Sequence, residues 1–368
     1  MTVAPNGTIG VLGGGQLGRM LATAAARLGI SVHIYCPEED APARAVAAQS
    51  TLGSYTDAAA LTRFGRSVGA VTYEFENVPA ETVEILSAAG VRVAPGAKAL
   101  AVAQDRVFEK EFVRALGAAT APFEAVDSAD DLAAALKRIG APAILKTRRL
   151  GYDGKGQTVI HAIGDTEATW RAATEKAWNE IGARPSILEG FVDFAFELSV
   201  IGARSASGEI ALYDPPRNEH QNGILRRSTV PSGASEETIR AAKDITQKML
   251  GALSYIGVIG VEFFVLKNGA VAVNEFAPRV HNSGHWTSDA CTISQFEQHI
   301  RAVAGWPLGS TARHSDAVME NLFGDEADRW ETLAREPRTA IHLYGKRDAA
   351  PGRKMGHVTR ITAREPGA

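Results

Sequence analysis

The sequence predicts a mixed α/β (α+β) fold in three units, 1–97, 98–311 and 312–368. Three observations carry this expectation. Short apolar runs alternate with Ala-rich helical stretches over 1–97, the pattern of a doubly wound domain. At Lys98 the pattern changes to a long helical stretch, followed by β-rich runs around a glycine-rich loop. From about Ala312 short β-rich runs and turn residues take over. A length of 368 residues alone calls for two or three domains.

In the first unit, TIGVL at 8–12 reads as a buried strand, GGGQLG at 13–18 as a turn, and the run to about Leu28 as a helix. A second strand is expected at 30–36, helices at 41–49, 57–66 and 79–88, and strands at 70–75 and 91–95. A G-x-G-x-x-G turn between strand and helix suits a dinucleotide. It equally suits any anion, or a helix drawn close to a strand end. Gln16 and Leu17 lie in this turn and are candidates for a substrate phosphate. Glu74 and Glu76 close the third strand, where such sheets present ligand-binding groups. Glu74 is a substrate candidate; helix capping or solvation is the alternative.

The second unit opens with one long helix over 99–117, and a helix at 128–139 leads to the strand PAILK, which ends in Lys146. GYDGKGQ at 151–157 then packs three glycines, a lysine and an acid between two strand-like runs. This reads as a hairpin loop whose backbone N–H groups can close over phosphates, without the Lys-Ser or Lys-Thr of a Walker A loop; an ordinary surface hairpin is the alternative. A helix at 165–181 precedes the strand SILEGFV with Glu189. FAFELSVIGA at 194–203 is a strand carrying Glu197, and 213–228 reads as a polar loop bearing His220. A helix at 235–252 comes before IGVEFFVLKNGAVAVNEFAPRVHNSGHW at 259–286.

That last stretch is a hairpin with Asn268-Gly269 as a two-residue type I′ turn. The register sets Glu262 opposite Glu275, on a face shared with Phe264, Leu266, Val271 and Val273. Facing carboxylates repel. They suit a divalent cation shared with substrate phosphates, or else a solvated strand end where each pairs with a basic residue. Arg279, His281, Asn282, Ser283 and His285 follow at once, a density of polar groups suited to a planar oxyanion, with capping or packing the alternative for the two histidines. The third unit contains IHLYGK and RKMGHVTRI, with Arg353 and Lys354 in a turn.

A net charge of −3 implies no broad basic surface for nucleic acid. No run approaches the ~18 apolar residues of a membrane span. The N-terminus has no signal-peptide pattern, and two distant cysteines make neither a disulfide framework nor a zinc site. A cytoplasmic enzyme is expected.

Lys146, GYDGKGQ, ILEGFV, Glu197, Glu262 and NEFAPRVHNSGHW, in that order, resemble the ATP-grasp superfamily. With HQNGILR and PGRKMGH, the resemblance covers nearly the whole chain and narrows to the carboxylating ligases of purine biosynthesis. It implies an ATP-grasp fold with an N-terminal Rossmann-like pre-grasp domain, a lid subdomain at about 121–191 within the grasp domain, and a small C-terminal β-rich domain. It also implies ATP and Mg²⁺, with bicarbonate and an aminoimidazole ribonucleotide as co-substrates, in a homodimer. By motif, Arg106 and Lys146 would contact ATP phosphates under the loop Gly151, Tyr152, Asp153, Gly154, Lys155, Gly156 and Gln157. Glu189, Gly190, Phe191 and Val192 would line the adenine, Glu197 the ribose, and His220 and Asn274 would face the nucleotide. Glu262 and Glu275 would hold Mg²⁺; Ala277 stands where many grasp enzymes carry Asn, so water is the alternative to a third ligand from that strand. Tyr152, Asn282, Ser283, Arg353 and Lys354 would contact the ribonucleotide, with Asp153, Arg279 and His281 at the reacting groups. A formate-using grasp enzyme, a dinucleotide oxidoreductase built on GGGQLG, and a nucleotide-binding regulator without turnover are the competing readings.

Overall fold

The computed structural model describes residues 2–151, 156–161 and 166–364. The first unit is a parallel sheet of β1 (Thr8–Leu12), β2 (Ser31–Cys36), β3 (Gln49–Leu52) and β4 (Ala70–Tyr73), in the order β3-β2-β1-β4. Helices α1 (Gln16–Arg27), α2 (Ala58–Arg66) and α3 (Ala80–Ala88) pack on it. Two expectations fail here. The helix placed at 41–49 is a short 3-10 turn, Pro42–Ala45, followed by the edge strand β3. The strand placed at 91–95 reduces to one bridge, Val71 to Val93, because Pro95 has no N–H to continue a ladder.

The long helix expected over 99–117 is two helices, α4 (Ala97–Ala103) and α5 (Arg106–Ala115). Asp105 breaks it: its carboxylate accepts from the N–H of Val107 at 3.0 Å and so starts a new helix. Then comes an antiparallel sheet, β5-β8-β6-β7, from β5 (Phe123–Val126), β6 (Ala143–Thr147), β7 (Gln157–Ile160) and β8 (Ser186–Gly190). It is backed by α6 (Ala129–Ile139) and α7 (Glu167–Glu180).

The rest builds a nine-stranded sheet from β9 (Phe194–Arg204), β10 (Ile210–Leu212), β11 (Arg217–Gln221), β12 (Ile224–Val230), β13 (Gly257–Leu266), β14 (Val271–Ala277), β15 (Ser315–Phe323), β16 (Thr339–Leu343) and β17 (Lys354–Ala363). Its order is β14-β13-β9-β11-β12-β15-β17-β16, with β10 beside β9. Helix α8 (Glu236–Ala252) packs on β9 and β13, and α9 (Thr287–Ala290) and α10 (Gln295–Ala304) follow the hairpin; α11 (Trp330–Leu333) lies near the end. The "polar loop" at 213–228 is the hairpin β11–β12, whose outward residues hid its alternation. The C-terminal strands extend the central sheet, through β12 pairing β15, rather than forming a sheet of their own.

The β13–β14 hairpin pairs Glu262 with Glu275, as the sequence suggests, but by another route. Its loop has three residues. The N–H of Leu266 donates to Ala270 O at 2.8 Å, that of Gly269 donates to Leu266 O at 2.8 Å, and Gly269 alone takes a positive φ, of 85°. Val265 therefore faces Val271, and Phe263 faces Val273. One extra residue, Asn274, then bulges and restores the glutamate pair. Val271 and Val273 consequently lie in the core with Phe263 and Val265, not on the glutamates' face as expected.

Candidate functional site

A cavity of about 1030 Å³ lies where the three sheets meet. Glu262 and Glu275 line it together with Arg279, His281 and Asn282 on one side, and Arg106, Lys146, Glu197 and His220 on another. Gln16, Leu17 and Glu74 from the first unit, and Arg353 and Lys354 from the last, border the same space. Asn274, Gly151 and Gln157 also line it. Tyr152, Asp153, Gly154 and Lys155 lie outside the described residues.

Burial and the neighbouring Glu275 push the Glu262 carboxyl upward. Burial works the same way on Glu275, but Arg106 Nη1, 2.9 Å from Glu275 Oε2, outweighs it and holds that carboxyl low. One member of the pair thus stays charged while the other resists ionisation, because two close carboxylates cannot easily both be charged. Among the described residues no group of three or more His, Cys, Asp or Glu is placed to hold a metal. A two-carboxylate site fits Mg²⁺ that arrives with nucleotide phosphates and water completing its shell.

The two basic residues expected at phosphates are already paired. Lys146 Nζ lies 2.9 Å from Glu189 Oε2, and Glu189 Oε1 lies 3.5 Å from Lys110 Nζ. Burial would raise Glu189, but Lys146 and Lys110 bring it down to about 2. Gly190 and Phe191 donate their N–H groups to the carbonyls of Pro122 and Pro142, at 2.8 and 3.2 Å. The stretch Glu189 to Val192 does not line the cavity; Glu189 is buried and Phe191 exposed. Glu197 Oε2 meets His220 Nδ1 at 2.7 Å, and that bond raises His220 against the downward push of its burial.

Arg279 is fixed by Glu76, a residue to which the sequence assigned no partner. Its Nε and Nη2 donate to the two Glu76 oxygens and its Nη1 to Val280 O, leaving two of five N–H donors for a ligand. Burial, then Arg279, lowers His281 to about 3, so it is neutral. Ser199 donates to Ser283 Oγ at 2.6 Å, and Ser283 Oγ lies 2.8 Å from His281 Nδ1, which also faces the Ser283 N–H. The His281 proton accordingly sits on Nε2, 3.4 Å from Glu262 Oε1. Ser283 is fully buried, so it orients His281 and does not reach the cavity, contrary to its expected substrate contact. Gln295, unmarked in the sequence, bonds both His281 N and His281 O, at 2.9 and 2.7 Å. Both amide atoms of Asn282 are buried and have no partner among the described residues.

The glycine turn is occupied by its own fold. Glu74 accepts from the N–H groups of Gly15 and Gly18, so the donors at the start of α1 that an external phosphate would use are partly spent.

A family model of the ATP-grasp domain matches residues 111–296, one of the ribonucleotide synthetase preATP-grasp domain matches 7–104, and one of the phosphoribosylaminoimidazole carboxylase C-terminal domain matches 317–366. The N5-carboxyaminoimidazole ribonucleotide synthase of Brucella melitensis is 50% identical over 363 residues, 99% of this chain and 98% of its own. That of Pseudomonas aeruginosa is 44% identical over 95% of this chain and 93% of its own. A solved ADP complex of an N5-carboxyaminoimidazole ribonucleotide synthetase matches with a TM-score of 0.92 at 37% identity, over 98% of this chain and 94% of that one. The Aspergillus clavatus synthase, solved with ADP and 5-aminoimidazole ribonucleotide, matches with a TM-score of 0.89 at 29% identity, over 99% and 95%. With the paired acids, the cation-lined cleft and these likenesses together, the chain belongs to the N5-carboxyaminoimidazole ribonucleotide synthase family of ATP-grasp ligases.

Proposed function

We propose that the chain uses ATP and bicarbonate to carboxylate the exocyclic amine of 5-aminoimidazole ribonucleotide, a step of purine biosynthesis. The observation that carries this reading is the Glu262–Glu275 pair sharing one cavity with Arg279 and His281. The likeness to the synthases of Brucella and Pseudomonas supports the choice of substrates.

Mg²⁺ on the two glutamates would neutralise charge on the transferring phosphoryl group. The chain's own groups account for the rest. Arg106 and Lys146 turn from Glu275 and Glu189 to phosphate oxygens, with Gly151, Gln157 and Asn274 alongside. Glu197 takes the ribose hydroxyls and steadies His220 against the nucleotide. Arg279, braced by Glu76, offers its two remaining N–H donors to bicarbonate, and His281 directs its Nε2 proton into the same space. A bicarbonate oxygen bonds the γ-phosphorus as the bond to the ADP oxygen breaks. The amine nitrogen then bonds the carbon of the carboxyphosphate, inorganic phosphate leaves, and the amine gives up a proton. Asp153 is the candidate to steer that proton. Arg353 and Lys354, with Gln16 and Leu17, suit the phosphate end of the ribonucleotide, and the amide of Asn282 suits its polar edge or the bicarbonate.

The same reading includes division into units at 97 and 311, a homodimer, and a cytoplasmic location. No helix among the described residues is long and apolar enough to cross a membrane. The test is an ATPase assay with Mg²⁺, adding bicarbonate and ribonucleotide separately and together. ATP cleavage should require bicarbonate, rise sharply with the ribonucleotide, and give an acid-labile product. Use of formate in place of bicarbonate, or no cleavage with all substrates present, overturns the assignment.

A further inference from the structure

Helix α5 grips the strand that carries Glu275 at three consecutive residues. Glu109 Oε1 accepts from the N–H of Phe276 at 2.6 Å, Lys110 Nζ donates to Asn274 O, and Arg106 Nη1 donates to Glu275 Oε2 at 2.9 Å. Positions 106, 109 and 110 fall on one helix face, as spacings of three and four require. Glu109 and Lys110 are 3% and 1% exposed, so neither is a surface charge that happens to point inward. A carboxyl and an amine are buried here at considerable cost, and each bonds a backbone atom of the strand.

The grip falls on the bulge. Val273 faces Phe263 while Glu275 faces Glu262, which makes Asn274 the extra residue. Strand alternation places Val271 and Val273 in the core, and an unbroken alternation would send Glu275 there too. The extra residue reverses it and brings the Glu275 carboxylate to the cavity. Strand β14 is the last in its sheet, and the 119–120 segment meets its outer edge at Val273, so among the described residues no strand takes up Asn274 O and Phe276 N. Buried backbone groups need partners, and α5 supplies both.

We infer that Glu109 and Lys110 are positioning residues for Glu275: they hold the bulge that turns its carboxylate toward Glu262. This rests on the reading of Glu262 and Glu275 as the site of the nucleotide's divalent cation. Lys110 also reaches Glu189, so the same side chain ties the Glu275 strand to the wall that carries Lys146.

The test uses the full chain and Mn²⁺ as probe, with free Mn²⁺ counted by electron paramagnetic resonance in the presence of ADP. Lys110→Met and Glu109→Leu should each weaken Mn²⁺ binding about 10- to 100-fold and raise the Mg²⁺ needed for turnover by a similar factor. The KM for the ribonucleotide should stay within about twofold, a split that general loosening of the fold would not produce. Glu109→Gln keeps an oxygen for the Phe276 N–H and should restore Mn²⁺ binding to nearly the parental level. The two disruptive variants are independent breaks, so if one fails to fold the other decides. Glu275→Gln in the same titration separates the premises. If Mn²⁺ affinity does not depend on Glu275, the cation reading falls and the inference with it. If it depends on Glu275 but not on Glu109 or Lys110, the inference alone falls.

Discussion

Glu74, just past the end of β4, and Glu275, on β14, border one cavity, and the fold treats them in opposite ways. Glu74 follows β4 and turns back to the N–H groups of Gly15 and Gly18. Burial pushes its carboxyl up against the pull of those donors, and both of these bonds stay inside the first unit. Glu275 meets one cation, Arg106, and a second carboxylate, Glu262, across the hairpin. The first is a closed arrangement that seals a turn to a strand end. The second leaves two carboxylates facing each other, and on the proposed reading a cation brought from outside balances them. A buried acid is therefore not informative by itself; what separates structure from site is whether the protein already supplies its partners.

The largest break in this contrast is Glu275→Gln. It keeps an oxygen for Arg106 and relieves the repulsion with Glu262, so thermal unfolding should change little while Mg-ATP turnover falls by more than about a hundredfold. Steady-state kinetics beside a melting curve checks both halves. Glu74→Gln should do the reverse. An amide can accept from only one of the two glycine N–H groups, which costs about 1–3 kcal/mol in denaturant unfolding, while turnover per folded molecule stays near the parental value. Lost turnover with undiminished stability would erase the distinction.

The smallest effect, absent at neutral pH, sharpens the contrast with a neutral closure. His299 on α10 accepts from the N–H of Val258 at Nδ1, at 3.0 Å, and meets Thr72 Oγ1 at Nε2, at 2.7 Å, so it pins the first unit to β13. Burial lowers it to about 3 from the usual 6.5. Because the folded value is the lower one, the unfolded chain binds the proton first. Stability is complete above about pH 6.5 and declines by at most about 1.4 kcal/mol per pH unit as pH falls below it. His299→Gln should flatten that acid limb; an unchanged slope would show that other groups set it.

The residues legible in the sequence were those whose chemistry is local. Glu262, Glu275, Arg279 and His281 fall within twenty positions, and a hairpin read from Asn268-Gly269 brings the acids together. Even there the pairing came out right through two compensating errors, a loop one residue longer than expected and a bulge one residue beyond. A bulge has no signature of its own in the strand; the residues that stabilise it lie elsewhere. Glu109 and Lys110 were missed because they bind backbone atoms 167 and 164 positions away, where no residue type marks the partner. Ser199, 84 positions from Ser283, and Gln295, 14 positions from His281, were unmarked as well, and Glu76 was read at a strand end without its partner Arg279, 203 positions on. The sheet connection from β12 to β15 is likewise a pairing between distant segments, and periodicity within a segment does not reveal its neighbour.

The pairing of Lys146 with Glu189, and of Arg106 with Glu275, has a consequence for how the cleft meets ions in solution. A bare pair of cations would collect inorganic phosphate and chloride, and each nucleotide would have to displace them. Here the resident anions belong to the chain. On the proposed reading, nucleotide entry is an exchange of partners, with Glu189 passing to Lys110 and Glu275 to the incoming cation, rather than a neutralisation of exposed charge. Fewer small ions are released by such an exchange, so ADP affinity should depend only weakly on salt concentration, and a steep salt dependence would mean that the cleft opens its ion pairs before the nucleotide arrives.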